Sequence, residues 1–383
     1  GNNQIGTYGS KALVTDSNYV FNGGIAPGYI TTSAPNPNLG WEVASSLNVG
    51  LDLGFLDNRL NVNMAYYKTN TKDLLLDVPV PQQTGYDNVL ANIGEMENQG
   101  WEFQVFGDGF TLGELGLGFN ANFTSYENKV LALGPGQDRI ATGRDQLFVT
   151  QIGHPIAEIY GYRVDGVFRT QEEIDAYPHL DGTLTGDLRA VDVNGDGEIN
   201  DDDKVSKGTY APDFTYGFGA NLDYKGFTLS FNFVGVEGRT LLDGDLSSLT
   251  EAGEGFALPT QYYFDNRYHP ENNPDGFLGQ PNFGNFSNSR KILRSSVTVD
   301  EGNGDYFRFR DVRLGYNVQK NILDKLSLSG LQIYISGNNL FTSTKWRGWN
   351  PDGTSSNILE SGYNTGGNYP IAKTYTVGLK ISY

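Results

Sequence analysis

The stretch that most constrains the fold is the end of the chain, residues 374–383. It reads T-Y-T-V-G-L-K-I-S-Y, and successive residues of a strand point to opposite faces. Small and polar residues occupy one face of this strand, whereas the other face carries Tyr375, Val377, Leu379, Ile381 and Tyr383. A strand with one lipid-compatible face, one polar face and a terminal aromatic ring is typical of the last strand of a transmembrane β-barrel.

Segments upstream repeat this alternation, starting near residues 41, 60, 101, 115, 214, 227, 306 and 331. Connections after odd-numbered segments are short and those after even-numbered segments are long, as in barrels with periplasmic turns and extracellular loops. The sequence therefore predicts an all-β fold, in which nine strands of a transmembrane antiparallel β-barrel end at a periplasmic C-terminus. Single-chain bacterial barrels have even strand numbers, so we expect further strands outside these residues. The predicted extracellular loops are about 1–40, 70–100, 126–212, 237–304 and 342–373.

Two local features of the predicted strands depend on individual residues. In the seventh strand, Phe307 and Phe309 fall out of parity with Val312 and Leu314, which indicates either a β-bulge or aromatic rings in the lumen. Short turns are predicted around 107–109 and at 225–226, and the second is a two-residue hairpin.

Composition excludes several classes of protein. The chain has no cysteine, which removes disulfides, thiolate catalysis and cysteine-bound zinc. A formal net charge of −18 without a basic patch argues against nucleic acid as a partner. The three histidines, His154, His179 and His269, are far apart, and no nucleophile elbow or phosphate-binding loop accompanies them. We therefore expect no enzymatic activity.

Residues 192–203, D-V-N-G-D-G-E-I-N-D-D-D, match the spacing of an EF-hand-like calcium loop. Oxygen donors stand at loop positions 1, 3, 5 and 12, and the required glycine stands at position 6. Asp203 replaces the usual glutamate at position 12, as in the dockerin variant of this loop. The alternative is a solvated acidic turn without metal. The predicted ligands of a structural Ca²⁺ are Asp192, Asn194, Asp196, Glu198, Asn200 and Asp203.

Aromatic residues in the predicted extracellular loops are candidates for contact with a ligand, because a sugar ring stacks well on an aromatic plane. The competing interpretation is that they pack one loop against another or against a partner protein, since aromatic residues are enriched at interfaces. The candidates are Trp346, Trp349, Tyr262 and Tyr263.

Runs of residues across nearly the whole chain resemble the SusC/RagA-type TonB-dependent transporters of Bacteroidota. They include N-P-N-L-G-W-E at 36–42, D-V-N-G-D-G at 192–197 and S-G-N-N-L-F at 336–341. The other matching runs are 47–52, 55–60, 66–69, 71–76, 78–81, 92–100, 161–162, 166–168, 186–188, 308–310 and 314–316. The last strand also resembles the C-terminal insertion signal of outer-membrane barrels, in the spacing of Thr376, Gly378, Ile381 and Tyr383.

The resemblance implies a barrel of about 22 strands with a plugged lumen, of which this chain supplies the last nine. It implies that a plug domain and a TonB-contacting segment lie upstream. A SusD-like surface lipoprotein and the TonB complex would be the partners, and dimers of transporter–lipoprotein pairs are a further implication. The implied function is import of an oligosaccharide or peptide across the outer membrane.

A secreted or surface-attached β-sandwich is the alternative, acting as a glycan-binding protein or adhesin with a structural calcium site. Long strands, many aromatic residues and an acidic balance suit it. A sandwich, however, buries one face of each sheet and gives no reason for short and long connections to alternate. This alternation favours the barrel.

Overall fold

The computed structural model describes residues 8, 10–86, 88–134, 136–244, 260–280, 292, 302–364 and 369–383. Strands dominate this part of the chain, and its α-helices are the short Gln171–Ala176, Gln261–Asn266 and Lys320–Leu326. Single 3₁₀ turns occur at Gln82–Thr84, Arg144–Gln146, Asp201–Asp203 and Ile358–Glu360. None of the described helices has the length and apolar character needed to cross a membrane.

In chain order the strands are β1 Val14–Phe21, β2 Gly24–Thr31, β3 Val43–Phe55, β4 Leu60–Pro79, β5 Asn88–Leu112, β6 Leu115–Ser125, β7 Glu127–Ala132, β8 Arg139–Thr142, β9 Phe148–Gln151, β10 Glu158–Tyr162, β11 Val164–Val167, β12 Leu188–Ala190, β13 Lys204–Gly208, β14 Phe214–Tyr224, β15 Phe227–Glu237, β16 Leu242–Asp243, β17 Tyr306–Asn317, β18 Gly330–Thr344, β19 Tyr363–Asn364 and β20 Thr374–Ser382.

One large sheet contains all nine predicted strands in the order β3-β4-β5-β6-β14-β15-β17-β18-β20. Every neighbouring pair is antiparallel, and β7 adds to β5 beside this path. The order of these nine strands in the sheet is therefore also their order in the chain, as in the wall of an up-and-down barrel. The predicted fold class is confirmed, with β3 and β20 at the two edges of the sheet.

The register aligns apolar residues into continuous rows on one face of the sheet. One row runs through Leu222, Leu229, Leu314, Ile335 and Val377, which are direct partners on five neighbouring strands. Leu314, Ile335 and Val377 are all largely exposed. An apolar face that no protein layer covers is what a lipid-facing barrel wall requires.

A β-bulge accounts for the parity change in β17. Phe309 pairs with Phe233, whereas Asp311 pairs with Asn232, so Arg310 is an extra residue between two consecutive partners. The bulge returns Phe309 to the face of Val312, and Phe309 stacks on Phe233 with ring centroids 4.6 Å apart. Of the two sequence-based interpretations, the bulge is confirmed and the lumenal rings are wrong.

Two predicted connections differ from the structure. Most of 70–100 is strand, because β4 and β5 continue as one hairpin that leaves only 80–87 between them. The turn predicted around 107–109 lies instead at 113–114, and a register shift between Gly107 and Phe110 absorbs the glycine-rich stretch. Apolar and polar residues alternate only weakly in both stretches. The two-residue period therefore did not reveal that β4 and β5 continue through them.

The other long connections contain regular structure rather than open loop. A hairpin, β1–β2, occupies most of the described part of 1–40, and small sheets built from β8, β9, β10 and β13 and from β11 and β12 lie within 126–212. Three clusters of buried apolar residues form among these connections, centred on Tyr162, Leu76 and Phe148. We call the packed connections on the long-loop side of the sheet the loop assembly.

Candidate functional site

The face of the sheet opposite the apolar rows is polar and rich in amides. One row contains Asn120, Gly219, Asn232, Asp311 and Asn338, which are paired across five strands. The Asn232 side-chain amide donates to the Asp311 carboxylate at 3.1 Å. This face forms the lumenal wall, and its polar side chains leave hydrogen-bonding groups available to a solute.

Aromatic rings and ion pairs mark where the apolar face ends on the long-loop side. Tyr66 contacts Trp101 with ring centroids 5.0 Å apart, and Trp101 stacks on Phe103. Two residues beyond Tyr66 on the same face, the Lys68 ammonium lies 2.9 Å from the Glu97 carboxylate. Aromatic rings at the interface followed by charged pairs are the expected boundary of a membrane-facing band.

At the mouth of the sheet, two nearly buried arginines share one carboxylate. Arg308 lies on the lumenal face of β17, and its Nη1 atom is 3.0 Å from an oxygen of Asp352. Arg239 follows β15, and its Nη1 atom is 3.3 Å from the other oxygen of Asp352. The Arg239 and Arg308 guanidinium groups stack on the rings of Tyr210 and Tyr306, respectively. This cluster joins the barrel wall to residues 345–364, which we call the mouth strap.

Of the four aromatic candidates, Tyr263 and Trp346 are buried, Tyr262 is partly buried and Trp349 is exposed. Tyr263 is 3 % exposed and donates to the carbonyl of Gly279, and Trp346 is 8 % exposed. Their rings pack within the protein, so the stacking role predicted for these two residues is not supported. Trp349 is 70 % exposed on the mouth strap. Tyr262 lies beneath Arg347, whose guanidinium carbon is 4.4 Å from the ring centroid.

The predicted calcium loop is folded by its own carboxylates. Both oxygens of Asp192 accept backbone N–H groups, from Gly195 at 2.6 Å and from Gly197 at 3.0 Å. Asn194 and Asp196 accept from the N–H groups two residues ahead of them, at 2.9 Å each. Gly195 and Gly197 have φ values of 76° and 85°, a conformation that glycine adopts without strain. These side chains therefore hold the segment in a tight turn.

Asp203 closes this loop from within the protein. Its side chain is fully buried, and its two carboxylate oxygens accept the backbone N–H groups of Val193 and Asn200 at 2.8 and 2.9 Å. Across the described residues, no three Asp, Glu, His or Cys side chains are gathered in a metal-binding arrangement. A carboxylate oxygen has two lone pairs, so these hydrogen bonds leave coordinating capacity. Calcium binding stays a prediction.

Three of the residues that resemble an insertion signal lie on the edge strand β20, and Tyr383 directly follows it. Gly378 is the direct partner of Tyr334, and a methyl group at Gly378 would come within 2.3 Å of the Tyr334 ring. Arg313 covers the same ring, with its guanidinium carbon 3.9 Å from the centroid. Gly378 therefore provides space for a lumenal ring. Thr376 shares the lumenal face, whereas Ile381 belongs to the apolar face and Tyr383 is almost fully exposed.

Sequence reasoning did not single out the Arg239–Asp352–Arg308 cluster. Arg239 and Asp352 are separated by 113 positions, and neither belongs to an alternating segment or to a ligand-spacing motif. Arg308 belongs to a predicted strand, but its sequence context did not indicate a partner.

Comparison with known proteins agrees with this architecture. Residues 5–340 match the family model described as TonB dependent receptor-like, beta-barrel. The chain belongs to this family, whose members are outer-membrane β-barrels. It is 31 % identical to TonB-dependent receptor P26 of Formosa agariphila over 407 aligned residues, which cover 100 % of this chain and 39 % of that protein. It is 26 % identical to TonB-dependent receptor SusC of Bacteroides thetaiotaomicron, covering 93 % of this chain and 34 % of SusC.

A solved structure shows the same fold. The RagAB peptide transporter aligns with a TM-score of 0.75 and 23 % identity, covering 97 % of this chain and 38 % of that one. The resemblance to SusC/RagA-type transporters is thereby confirmed, and the β-sandwich alternative is wrong because the nine long strands form one continuous barrel wall. The chain spans less than two-fifths of the length of the relatives named here.

Proposed function

We propose that this chain forms part of the wall and mouth of a TonB-dependent importer that moves an oligosaccharide or peptide across the outer membrane. The observation that carries the proposal is the two-faced sheet, which has continuous apolar rows on one side and an amide-rich lumenal wall on the other. A lipid-facing exterior around a polar interior permits passage of a hydrophilic solute. The family consists of receptors and transporters, which supports a role without catalysis.

Orientation and partners are part of the same proposal. The short turns and the C-terminus face the periplasm, and the loop assembly faces outward, because outer-membrane barrels have short periplasmic turns. A SusD-like lipoprotein docks on the outer side, and the TonB complex supplies energy through parts of the longer protein. Pairs of transporter and lipoprotein associate as dimers. Support comes from the likeness to SusC and to the transporter component of RagAB.

Trp349 and Tyr262 form the contact surface for the cargo within this proposal. Trp349 projects from the mouth strap, and Tyr262 reaches the same strap through Arg347. An exposed indole offers a large rigid surface for a sugar ring or a peptide side chain.

The test uses the intact transporter in cells and compares uptake of labelled oligosaccharides and peptides. Trp349→Ala is expected to lower the apparent affinity for the transported class by roughly 3- to 10-fold, because an aromatic contact contributes about 0.5–1.5 kcal/mol. Phe277→Ala, a change at another exposed aromatic residue of the loop assembly, is the control. Unchanged uptake in Trp349→Ala would remove this residue from the cargo site, and transport of neither class would contradict the importer.

We also propose that residues 192–203 bind a structural Ca²⁺ through Asp192, Asn194, Asp196, Glu198, Asn200 and Asp203. The ligand spacing of the segment and the tight turn that its side chains hold support the proposal. Calorimetric titration of the intact, chelator-treated protein is expected to give a dissociation constant of roughly 10⁻⁴–10⁻³ M, as in extracellular calcium modules. Asp192→Ala is expected to abolish binding, whereas Asp175→Ala on the nearby helix Gln171–Ala176 leaves it unchanged. Equal titration of both variants would assign the ion to another place.

A further inference from the structure

We propose that Asp352 is a positioning residue, which holds the mouth strap against the barrel wall and thereby fixes Trp349 at the entrance. The inference rests on the proposed function for the role of Trp349 in cargo contact. The tie itself, between Asp352 and the two arginines, is independent of what the cargo is.

Burial makes this tie unusually dependent on one carboxylate. The side chains of Arg239 and Arg308 are 11 % and 9 % exposed, whereas the Asp352 side chain is 35 % exposed. A guanidinium group removed from water needs an anionic partner, and removing that partner is far more costly than breaking a surface ion pair. Each arginine directs an Nη1 atom to a different oxygen of Asp352. One carboxylate is therefore the shared anionic partner of two buried cations.

The arginines have little else to replace Asp352. Arg308 also donates from Nε to the Thr342 hydroxyl at 3.2 Å, but its Nη2 atom is buried without a hydrogen-bond partner. The Nε atom of Arg239 is likewise buried without a partner. A buried donor without an acceptor is unfavourable, so these groups raise the demand for the acceptor that is present. Loss of the carboxylate would leave both cations without an anionic partner, with stacking on Tyr210 and Tyr306 and the bond from Arg308 to Thr342 as the remaining contacts.

Asp352 makes one more contact through its main chain, because the Tyr210 hydroxyl donates to the Asp352 carbonyl at 3.3 Å. Asp352 and Gly353 donate their N–H groups within the strap, to Asn350. The Asn350 carbonyl accepts from Asn364, which also lies on the strap. Leu359 is buried in the cluster around Leu76, which anchors the far end of the strap. In the described part of the chain, the carboxylate and the carbonyl of Asp352 therefore tie the segment that carries Trp349 to residues on or beside β14, β15 and β17.

The proposal distinguishes positioning from general stabilisation. If Asp352 acts through the arginines, its loss frees the strap locally and leaves the sheet unchanged. If it only adds to overall stability, its loss weakens all parts of the protein similarly. Lys345 and Arg347 provide a direct probe, because they flank the buried Trp346 and proteolysis requires local opening of the chain around the cleaved bond.

The first experiment measures tryptic cleavage of the intact transporter in detergent without any cargo, with the strap fragments identified by mass spectrometry. Asp352→Asn is expected to speed cleavage after Lys345 and Arg347 by roughly tenfold or more, since cleavage follows the population of the open state. Asp352→Glu is expected to restore most of the protection. Asp324→Asn, the same change on the exposed surface of the helix Lys320–Leu326, is the control and is expected to match the wild type.

A second experiment places the change in a background without the arginines. In Arg239→Gln/Arg308→Gln, Asp352→Asn is expected to cause no further increase in cleavage, because the pairing it removes is already absent. Additive increases would overturn the proposal, and so would unchanged cleavage in Asp352→Asn. Heat-dependent gel mobility of the barrel identifies any variant that fails to fold. If Asp352→Asn fails to fold, cleavage of Asp352→Glu is compared with that of the wild type instead.

Uptake assays separate this proposal from the function on which it rests. If Asp352→Asn frees the strap and also weakens cargo affinity, the result supports both the positioning role of Asp352 and the cargo contact of Trp349. A freed strap with unchanged uptake sustains the tie and removes Trp349 from cargo recognition. Weaker uptake with a protected strap overturns the positioning role while leaving the importer in place.

Discussion

The barrel sheet and the loop assembly use apolar side chains in opposite ways. Leu314 on the sheet is 41 % exposed and faces outward, whereas Phe148 in the loop assembly is 2 % exposed and packs against Tyr363. The sheet satisfies its backbone by pairing strands and leaves its apolar rows to the lipid. The loop assembly excludes water from three internal clusters, as a soluble domain does. The same residue types therefore depend on different surroundings in the two regions.

The largest expected difference between the regions comes from emptying a core position of the loop assembly. Phe148→Ala leaves a cavity beside Gly143 and Tyr363, and such changes cost about 3–5 kcal/mol. Hydrogen exchange of the intact protein is expected to show faster opening of 140–162 while the strands of the sheet stay protected. Phe148→Leu is the matched variant, with a smaller effect. Loss of protection in both regions together would show that they unfold as one unit.

Next in size is a charge on the apolar face of the sheet. Phe231 lies in the middle of this face on β15, and Phe231→Arg is expected to cost about 2–4 kcal/mol in the membrane. Its neighbour Asn232 faces the lumen beside Asp311, so Asn232→Arg is expected to be tolerated. Denaturant unfolding from lipid vesicles measures both variants. Equal costs would contradict the assignment of the two faces.

The smallest expected effect is a response of the loop assembly to alkaline pH. Burial raises the pKa of Tyr162 and of Tyr263, which belong to the same cluster. An unfolded tyrosine titrates near pH 10, so their contribution to stability is complete below about pH 10 and is lost as pH rises toward the folded-state pKa. The thermal midpoint of the loop assembly should fall above that pH while that of the sheet changes less. Tyr263→Phe should reduce the fall of the thermal midpoint with rising pH. An unchanged fall in this variant would argue against a contribution from Tyr263.

Much of the sheet could be predicted because its information is local. Alternation identified all nine strands, and the parity change at Phe309 located a bulge within two residues. The continuation of β4 and β5 through 70–100 was missed, because Leu74, Leu75 and Leu76 are consecutive apolar residues without a period of two. All three are buried beneath the loop assembly rather than exposed to lipid.

The candidate site was predicted less completely. The accessible Trp349 and the buried Trp346 are three positions apart and identical in type, so sequence could not decide which one packs inside. The turn at 192–203 was recognisable because its ligand spacing lies within one short segment. The shared carboxylate of Asp352 was not recognisable, since its partners Arg308 and Arg239 lie 44 and 113 positions away in the chain.

The sequence by itself determined the two-faced strands, their order and the family, because each depends on a period of two or on contiguous motifs. The tertiary structure alone decided which loop residues became core, which aromatic ring stayed accessible and which arginines met Asp352. These outcomes depend on long connections returning to the same mouth. Contacts between residues so distant in sequence are set by how the whole sheet curves and closes, which no local pattern encodes.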